Sequence, residues 1–264
     1  MKKQILNCLA IIVLVLSLSG CTAFQLRDAN EQLTSYYYAK QQATQSGDYL
    51  MQESVKSSLG SLATDAAEQA QKEKNVLNQI AFYRVASTAA WQGGSPNVVS
   101  YADAGKKLCT DANFSRAPRD CGMLLVIPFF ASVDETTDEF NKLQAEVTAA
   151  PANERASYAQ AAEKVFADYR AALTSILKQR PKLANSGAHP DLLKAVDQRS
   201  GKLLCQIIGE SAVGLIATAR GDAQRARCEV YKLKGGAFDA GLNQSSADCL
   251  PASKDKLVKP RGCP

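Results

Sequence analysis

Eight cysteines and a single histidine are the side chains of this 264-residue sequence with the most reactive chemistry to offer. Cys8 and Cys21 lie within and at the end of an apolar N-terminal run; Cys109, Cys121, Cys205, Cys228, Cys249 and Cys263 are spread through the rest. That run has the form of a secretory signal, and an even number of cysteines in an exported chain reads as a disulfide framework. Six cysteines allow about 15 pairings. Spacing assigns only Cys109 with Cys121, because the short segment between them carries the turn residues Asp111, Asn113 and Pro118. The partners of Cys205, Cys228, Cys249 and Cys263 stay open. The competing use of these thiols is a structural zinc site, which needs close Cys-x₂₋₄-Cys pairs or histidines nearby. The sequence offers no such pair and its one imidazole, His189, is distant, so no metal is expected.

His189 is also the sole imidazole a serine triad could use. It precedes a proline on a polar connector, and no Gly-x-Ser-x-Gly elbow is present. There is no Walker loop, no Gly-x-Gly-x-x-Gly and no His-Glu-x-x-His. Asp134, Glu135, Asp138 and Glu139 recur at helical spacing, the pattern of a solvated face near a helix start. No catalytic residue is assigned and no cofactor is expected. Paired glycosidase acids can come from any part of a fold, so an enzyme acting on peptidoglycan or envelope glycans stands as an alternative.

The N-terminus carries more definite chemistry. Lys2 and Lys3 precede an apolar run from Ile5 to Leu18, which closes on Leu18-Ser19-Gly20-Cys21. A basic start, a short apolar segment and small residues before a cut site make a signal peptide, and the run falls short of the ~20 apolar residues that cross a bilayer. The ending resembles the lipobox of bacterial lipoproteins. The resemblance implies cleavage after residues 1–20, a diacylglycerol on the sulfur of Cys21 and a further acyl chain, such as palmitate, on its new amino group. One acyl chain binds membranes marginally, at about 0.8 kcal/mol per buried CH₂, so three on one residue make a durable anchor. In that family an Asp after the modified cysteine retains the protein at the inner membrane. Thr22 stands there, which implies the outer membrane, with the body facing the periplasm.

The remainder is large enough for a sizeable core. Hydrophobic residues at 46% and charged residues at 22% describe a globular chain. The net charge of +5, reduced by loss of Lys2 and Lys3, lacks the basic excess of a nucleic-acid-binding surface, so no nucleic acid is expected as a partner.

Alanine, glutamine, leucine and glutamate dominate from Thr22 onward and favour helix. The first helix is expected over Gln25 to Gln45. Its consecutive Tyr36, Tyr37 and Tyr38 cannot share one face, so at least one is expected to meet solvent or a partner. After Gly47-Asp48, a segment from Tyr49 to Leu59 should lead through Gly60-Ser61 into the next element. A long helix from Leu62 to Gln92 should follow, ending at Gly93-Gly94 with Trp91 as a packing anchor. Ala86 to Trp91 followed by Tyr101-Ala102 and Gly105 resembles one helical hairpin of the tetratricopeptide class, with no recurrence at that family's period of about 34 residues. The resemblance implies antiparallel helices. A helix from Val98 to Cys109 comes next.

Leu124 to Phe130 is the most apolar stretch beyond the signal, read as a buried seam or as an exposed patch for a partner or acyl chain. Pro128 should kink it or start a new helix. Tyr158, Ala162, Val165, Tyr169, Leu173 and Ile176 mark a helix that should stop at Arg180, ahead of Pro181. A last long helix is expected over Asp191 to Ala219, with close helix approach at Gly201, Gly209 and Gly214, or a break at Gly209. A short helix carrying Cys228 should end where Gly235-Gly236 opens a tail.

The expected architecture is all-α: a multi-helix antiparallel bundle or irregular helical-hairpin array, stapled by disulfides. The signal is residues 1–20, the helical domain 21–242, and an irregular C-terminal tail 243–264. The expected function is that of a lipid-anchored, non-catalytic helical adaptor or accessory subunit of a periplasmic or outer-membrane protein assembly. The alternatives are the glycan-acting enzyme and a lipid- or small-molecule-binding module with a pocket between helices.

Overall fold

A computed structural model describes residues 2–185, 188, 190–208 and 223–263, with backbone alone for 2–22, 207, 208, 223 and 226. The described residues are mostly helical, with no strand among them, and three disulfides staple them. The chain divides into two compact units, Met1–Ile127 and Pro128–Pro264.

The first unit is built on α1 (Lys2–Ser46), α2 (Tyr49–Lys72) and α3 (Val76–Gly93), followed by α4 (Val98–Leu108), α5 (Asp111–Arg116) and the start of α6 (Pro118–Ala149). Gly47 has a φ of 70°, the left-handed conformation that lets the chain reverse after α1. Asp48 then accepts a hydrogen bond from the Met51 N–H at 3.0 Å and starts α2. Leu59, Leu62, Ala63, Ala66 and Ala70 of α2 are buried, as are Ile80, Phe82, Val85, Ala86 and Ala89 of α3. Alanine on both helices permits a close approach: a methyl group at Gly93 would lie 3.1 Å from Leu59 Cβ.

The helix boundaries here differ from the expected ones. Gly60 does not break α2, and the helix expected over Leu62 to Gln92 is divided between α2 and α3. A helical glycine costs only about 1 kcal/mol, which burial of Leu59 and Leu62 offsets. At Glu73 to Asn75 polar side chains compete for the backbone. The Glu73 carboxylate accepts the N–H groups of Lys74 and Asn75, and Asn75 accepts those of Leu77 and Asn78.

The loop expected between Cys109 and Cys121 contains α5, capped by the Thr110 hydroxyl, which accepts the Asn113 N–H. The two cysteines are bonded as spacing required, with Cα atoms 5.7 Å apart. Arg84 ties three elements together, donating to Asp120 at 2.9 Å and to Asn30 at 2.5 Å. Lys40 donates to the Gln92 carbonyl at 2.5 Å, where α3 ends. Burial, and then the charge of Lys56, hold its ammonium below the usual lysine range.

The helix α6 runs on through Pro128, neither ending nor restarting there. A mid-helix proline costs about 3 kcal/mol. Leu124, Leu125, Val126, Ile127, Phe129 and Phe130 are all buried, which is the seam of the two readings, and each contributes roughly 1.5–3 kcal/mol.

The second unit comprises the rest of α6, a 3₁₀ turn at Arg155–Tyr158, α7 (Ala159–Asn185), α8 (Pro190–Ile208), α9 (Ala223–Asp239) and the tail. The buried Val165, Tyr169, Leu173 and Ile176 of α7 are the periodic set that marked it in the sequence. The helix continues past Pro181 to Asn185, carrying Leu183 into the core. Gln206 donates to the Tyr169 hydroxyl at 3.2 Å, and that hydroxyl donates to Thr137 at 3.1 Å, which links α8, α7 and α6. Desolvation raises the Tyr169 phenol above its ordinary value. Arg180 forks onto Asp197 through Nε at 2.6 Å and a terminal nitrogen at 2.8 Å, a pairing that raises its own pKa.

The helix α9 passes through Gly235-Gly236 to Asp239, because the buried Ala237 and Leu242 hold the segment against the unit. From 243 to 263 the chain has one 3₁₀ turn, Lys254–Lys256, and is otherwise irregular. It is fastened by Cys205–Cys249 and Cys228–Cys263. The end of the helix expected at Ala219, with Gly209 and Gly214, lies outside the described residues, as does His189.

Candidate functional site

The residues singled out by sequence occupy separate places. Cys21 falls within the backbone of α1. The acidic group is spread along an exposed face of α6: Asp134 pairs with Arg199, and Glu139 with Lys164, which also meets Asp168. These pairings and hydrogen bonds raise the Lys164 pKa. Trp91 is half-buried on the last turn of α3. Among the described residues no helix is long and apolar enough to cross a membrane, and no group of His, Cys, Asp and Glu is arranged to hold a metal ion.

Two surfaces have the makings of contact sites. The first belongs to α1 and α2. Tyr36 is half-buried, whereas Tyr37 and Tyr38 point outward with rings 5.9 Å apart, as three consecutive helical positions require. Tyr38 is 64% exposed and borders a shallow hollow of about 570 Å³ with Arg27, Asn30, Glu31 and Thr34, which recur at helical spacing on α1. Beyond the Gly47 turn, Tyr49 and Leu50 are 69% and 80% exposed on the first turn of α2. Asp48 holds that turn in place without using either side chain.

The second is a groove of about 550 Å³ in the second unit, between α9 and the tail. Arg227, Val230, Tyr231 and Lys234 follow one another by three, one and three residues, so α9 presents them as one stripe. Leu250, Leu257 and Lys256 face them from the tail. The tail is held at each end of this wall, by Cys249 to Cys205 and by Cys263 to Cys228, with Cα separations of 5.4 Å. Gln224 adds a hydrogen bond to the Arg261 carbonyl at 2.5 Å, and Lys254 pairs with Asp239. Sequence reasoning missed this groove. The stripe on α9 was visible as a spacing, but its opposite wall exists only through the two pairings that spacing left open.

No family model, curated protein or solved structure matches this chain.

Proposed function

We propose that this chain is a lipid-anchored envelope protein, held at the outer membrane by an acylated Cys21 with its body in the periplasm, and that it works as a non-catalytic adaptor for an envelope protein assembly. The observation that carries the adaptor reading is the exposure of Tyr38, Tyr49 and Leu50 on a helical hairpin whose first helix contains the anchor position. Large apolar side chains displayed on rigid helices bury well against a partner at little cost in conformational entropy. From Cys21 to Ser46 at about 1.5 Å per residue, α1 would carry the turn roughly 37 Å from the acyl chains. Tyrosine and leucine at that distance are placed for a protein partner, beyond the reach of the lipid headgroups that hold the anchor.

Two experiments test the halves of this reading. In membrane fractionation, Cys21→Ala should leave the protein in the soluble periplasm or uncleaved at the inner membrane; a variant that still floats with outer membranes after a high-salt wash refutes the anchor. A photo-crosslinking amino acid placed at Leu50 or Tyr38 should give one dominant protein adduct in native envelopes. The same probe at exposed Asp111, on α5, should give much less, and equal yields from both would refute the adaptor surface.

A further inference from the structure

The groove between α9 and the disulfide-held tail carries an inference that does not depend on acylation of Cys21. Its lining is unusual in charge. Arg227, Lys234 and Lys256 border it, and among the described residues none of the three has a carboxylate partner, nor does any Asp or Glu line the groove. The neighbouring cations are paired: Arg225 with Glu163, Lys232 with Glu229, Lys254 with Asp239. Arg227, Lys234 and Lys256 face the groove, and between them lie Val230, Tyr231, Leu250 and Leu257.

We infer that this groove binds an extended segment of a partner protein in which two acidic residues flank a short apolar or proline-bearing stretch. Arg227 and Lys234 are seven residues apart on α9, about 10.5 Å along the axis. A polyproline II segment advances about 3.1 Å per residue with three residues per turn, so carboxylates three positions apart share a face roughly 9 Å from each other. That spacing matches the two cations, with the intervening side chains against Tyr231 and Leu257. Pro251 and Pro260 on the tail wall have no N–H to donate, which suits a ligand held by its side chains rather than by strand pairing. An acyl chain is a poorer fit, because the groove is open along the tail, where Val258 is 84% exposed.

The test uses the full chain in non-ionic detergent with its disulfides oxidised, and immobilised nonapeptides with a fixed Glu-x-x-Glu core in which x is Leu, Val or Pro. A matched set carries Gln-x-x-Gln. The glutamate set should bind at least about tenfold more tightly than the glutamine set, and lose about tenfold between low and high salt. Arg227→Glu combined with Lys234→Glu should abolish that preference, with helicity and disulfides retained. Lys178→Glu combined with Lys182→Glu, an equal change of charge on exposed α7, should leave it intact. Equal binding of both sets, binding of neither, retention by the groove variant, or equal loss with the charge-matched α7 variant overturns the inference. So does displacement of the peptides by laurate at equal or lower concentration, which would assign the groove to an anionic amphiphile.

Discussion

Glycine to alanine at Gly201 and at Gly235 is the same chemical change on two helices, and the structure gives it opposite signs. Both residues lie inside helices, α8 and α9, where alanine is favoured over glycine by about 1 kcal/mol through helix propensity and a less disordered unfolded chain. A methyl group at Gly235 meets nothing within 4 Å, so Gly235→Ala should stabilise by about 0.5–1 kcal/mol. At Gly201 it would overlap the Ser246 carbonyl oxygen, lie 2.6 Å from the carbonyl carbon and 3.0 Å from Ala247 Cβ. Backbone atoms cannot rotate aside as a side chain can. The tail cannot slide away either, because Cys249 is bonded to Cys205, one turn beyond Gly201 on the same helix face. Overpacking of this kind costs about 1–3 kcal/mol or more. Peeling the tail off instead exposes Leu250 and Ala247, at roughly 2–3 kcal/mol. After subtracting the propensity gain, Gly201→Ala should destabilise by about 1–2 kcal/mol, a gap of roughly 2–3 from Gly235→Ala. Urea unfolding of the oxidised protein, followed by circular dichroism, reads both midpoints. A Gly201→Ala protein as stable as its parent would refute the tail's placement against α8, and with it the groove's second wall.

Three further outcomes follow from the contacts described. Replacing Cys109 and Cys121 together by serine opens a loop with a sequence separation of 12 and should cost about 3 kcal/mol, whereas losing Cys205–Cys249, with a separation of 44, should cost about 4; the order of the two urea midpoints checks it. Asp197→Ala leaves the part-buried Arg180 guanidinium without its fork and should cost about 2 kcal/mol, and a midpoint unchanged from the parent would show the pair to be idle. The Tyr169 phenol has a raised pKa in the folded state, so its contribution is fully present below the unfolded tyrosine value of about 10 and fades as pH rises through the folded value. Thermal melts between pH 8 and 11 should therefore fall less steeply for Tyr169→Phe than for the parent, although Tyr169→Phe is less stable at neutral pH by about 1 kcal/mol for the hydrogen bonds to Thr137 and Gln206. Parallel slopes would place the alkaline loss elsewhere.

What could be read from sequence divides along a physical line. The all-α class, the seam on α7 and the Cys109–Cys121 bond depend on residues within a few helical turns of each other, so local spacing carries them. The boundaries read at Gly60, Pro181 and Gly235-Gly236, and the restart offered as one reading of Pro128, share a cause: each residue was read by its intrinsic cost of about 1–3 kcal/mol, and in each segment buried neighbours such as Leu59, Ile127, Leu183 and Ala237 outweigh it. The true break at Glu73 to Asn75 contains no glycine or proline. Its signal was a carboxylate and an amide placed to take over backbone N–H groups, a weaker pattern than a helix breaker but the one that decided the boundary.

The two surfaces differ in the same way. The proposed lipobox rests on four consecutive residues, Leu18 to Cys21, so it is a reading of the sequence alone. Tyr37 and Tyr38 were half legible, since three consecutive tyrosines on a helix must expose at least one, yet nothing local says which. The groove was not legible at all. Its stripe of Arg227, Val230, Tyr231 and Lys234 is an ordinary amphipathic pattern until Leu250 and Leu257 are brought opposite, and that depends on bonds from Cys249 back to Cys205 and from Cys263 back to Cys228. The tail has little apolar surface beyond Leu250 and Ala247 with which to order itself. Opening both bonds should therefore release the groove's second wall, and a reductant should abolish peptide binding while leaving most of the helix content in place.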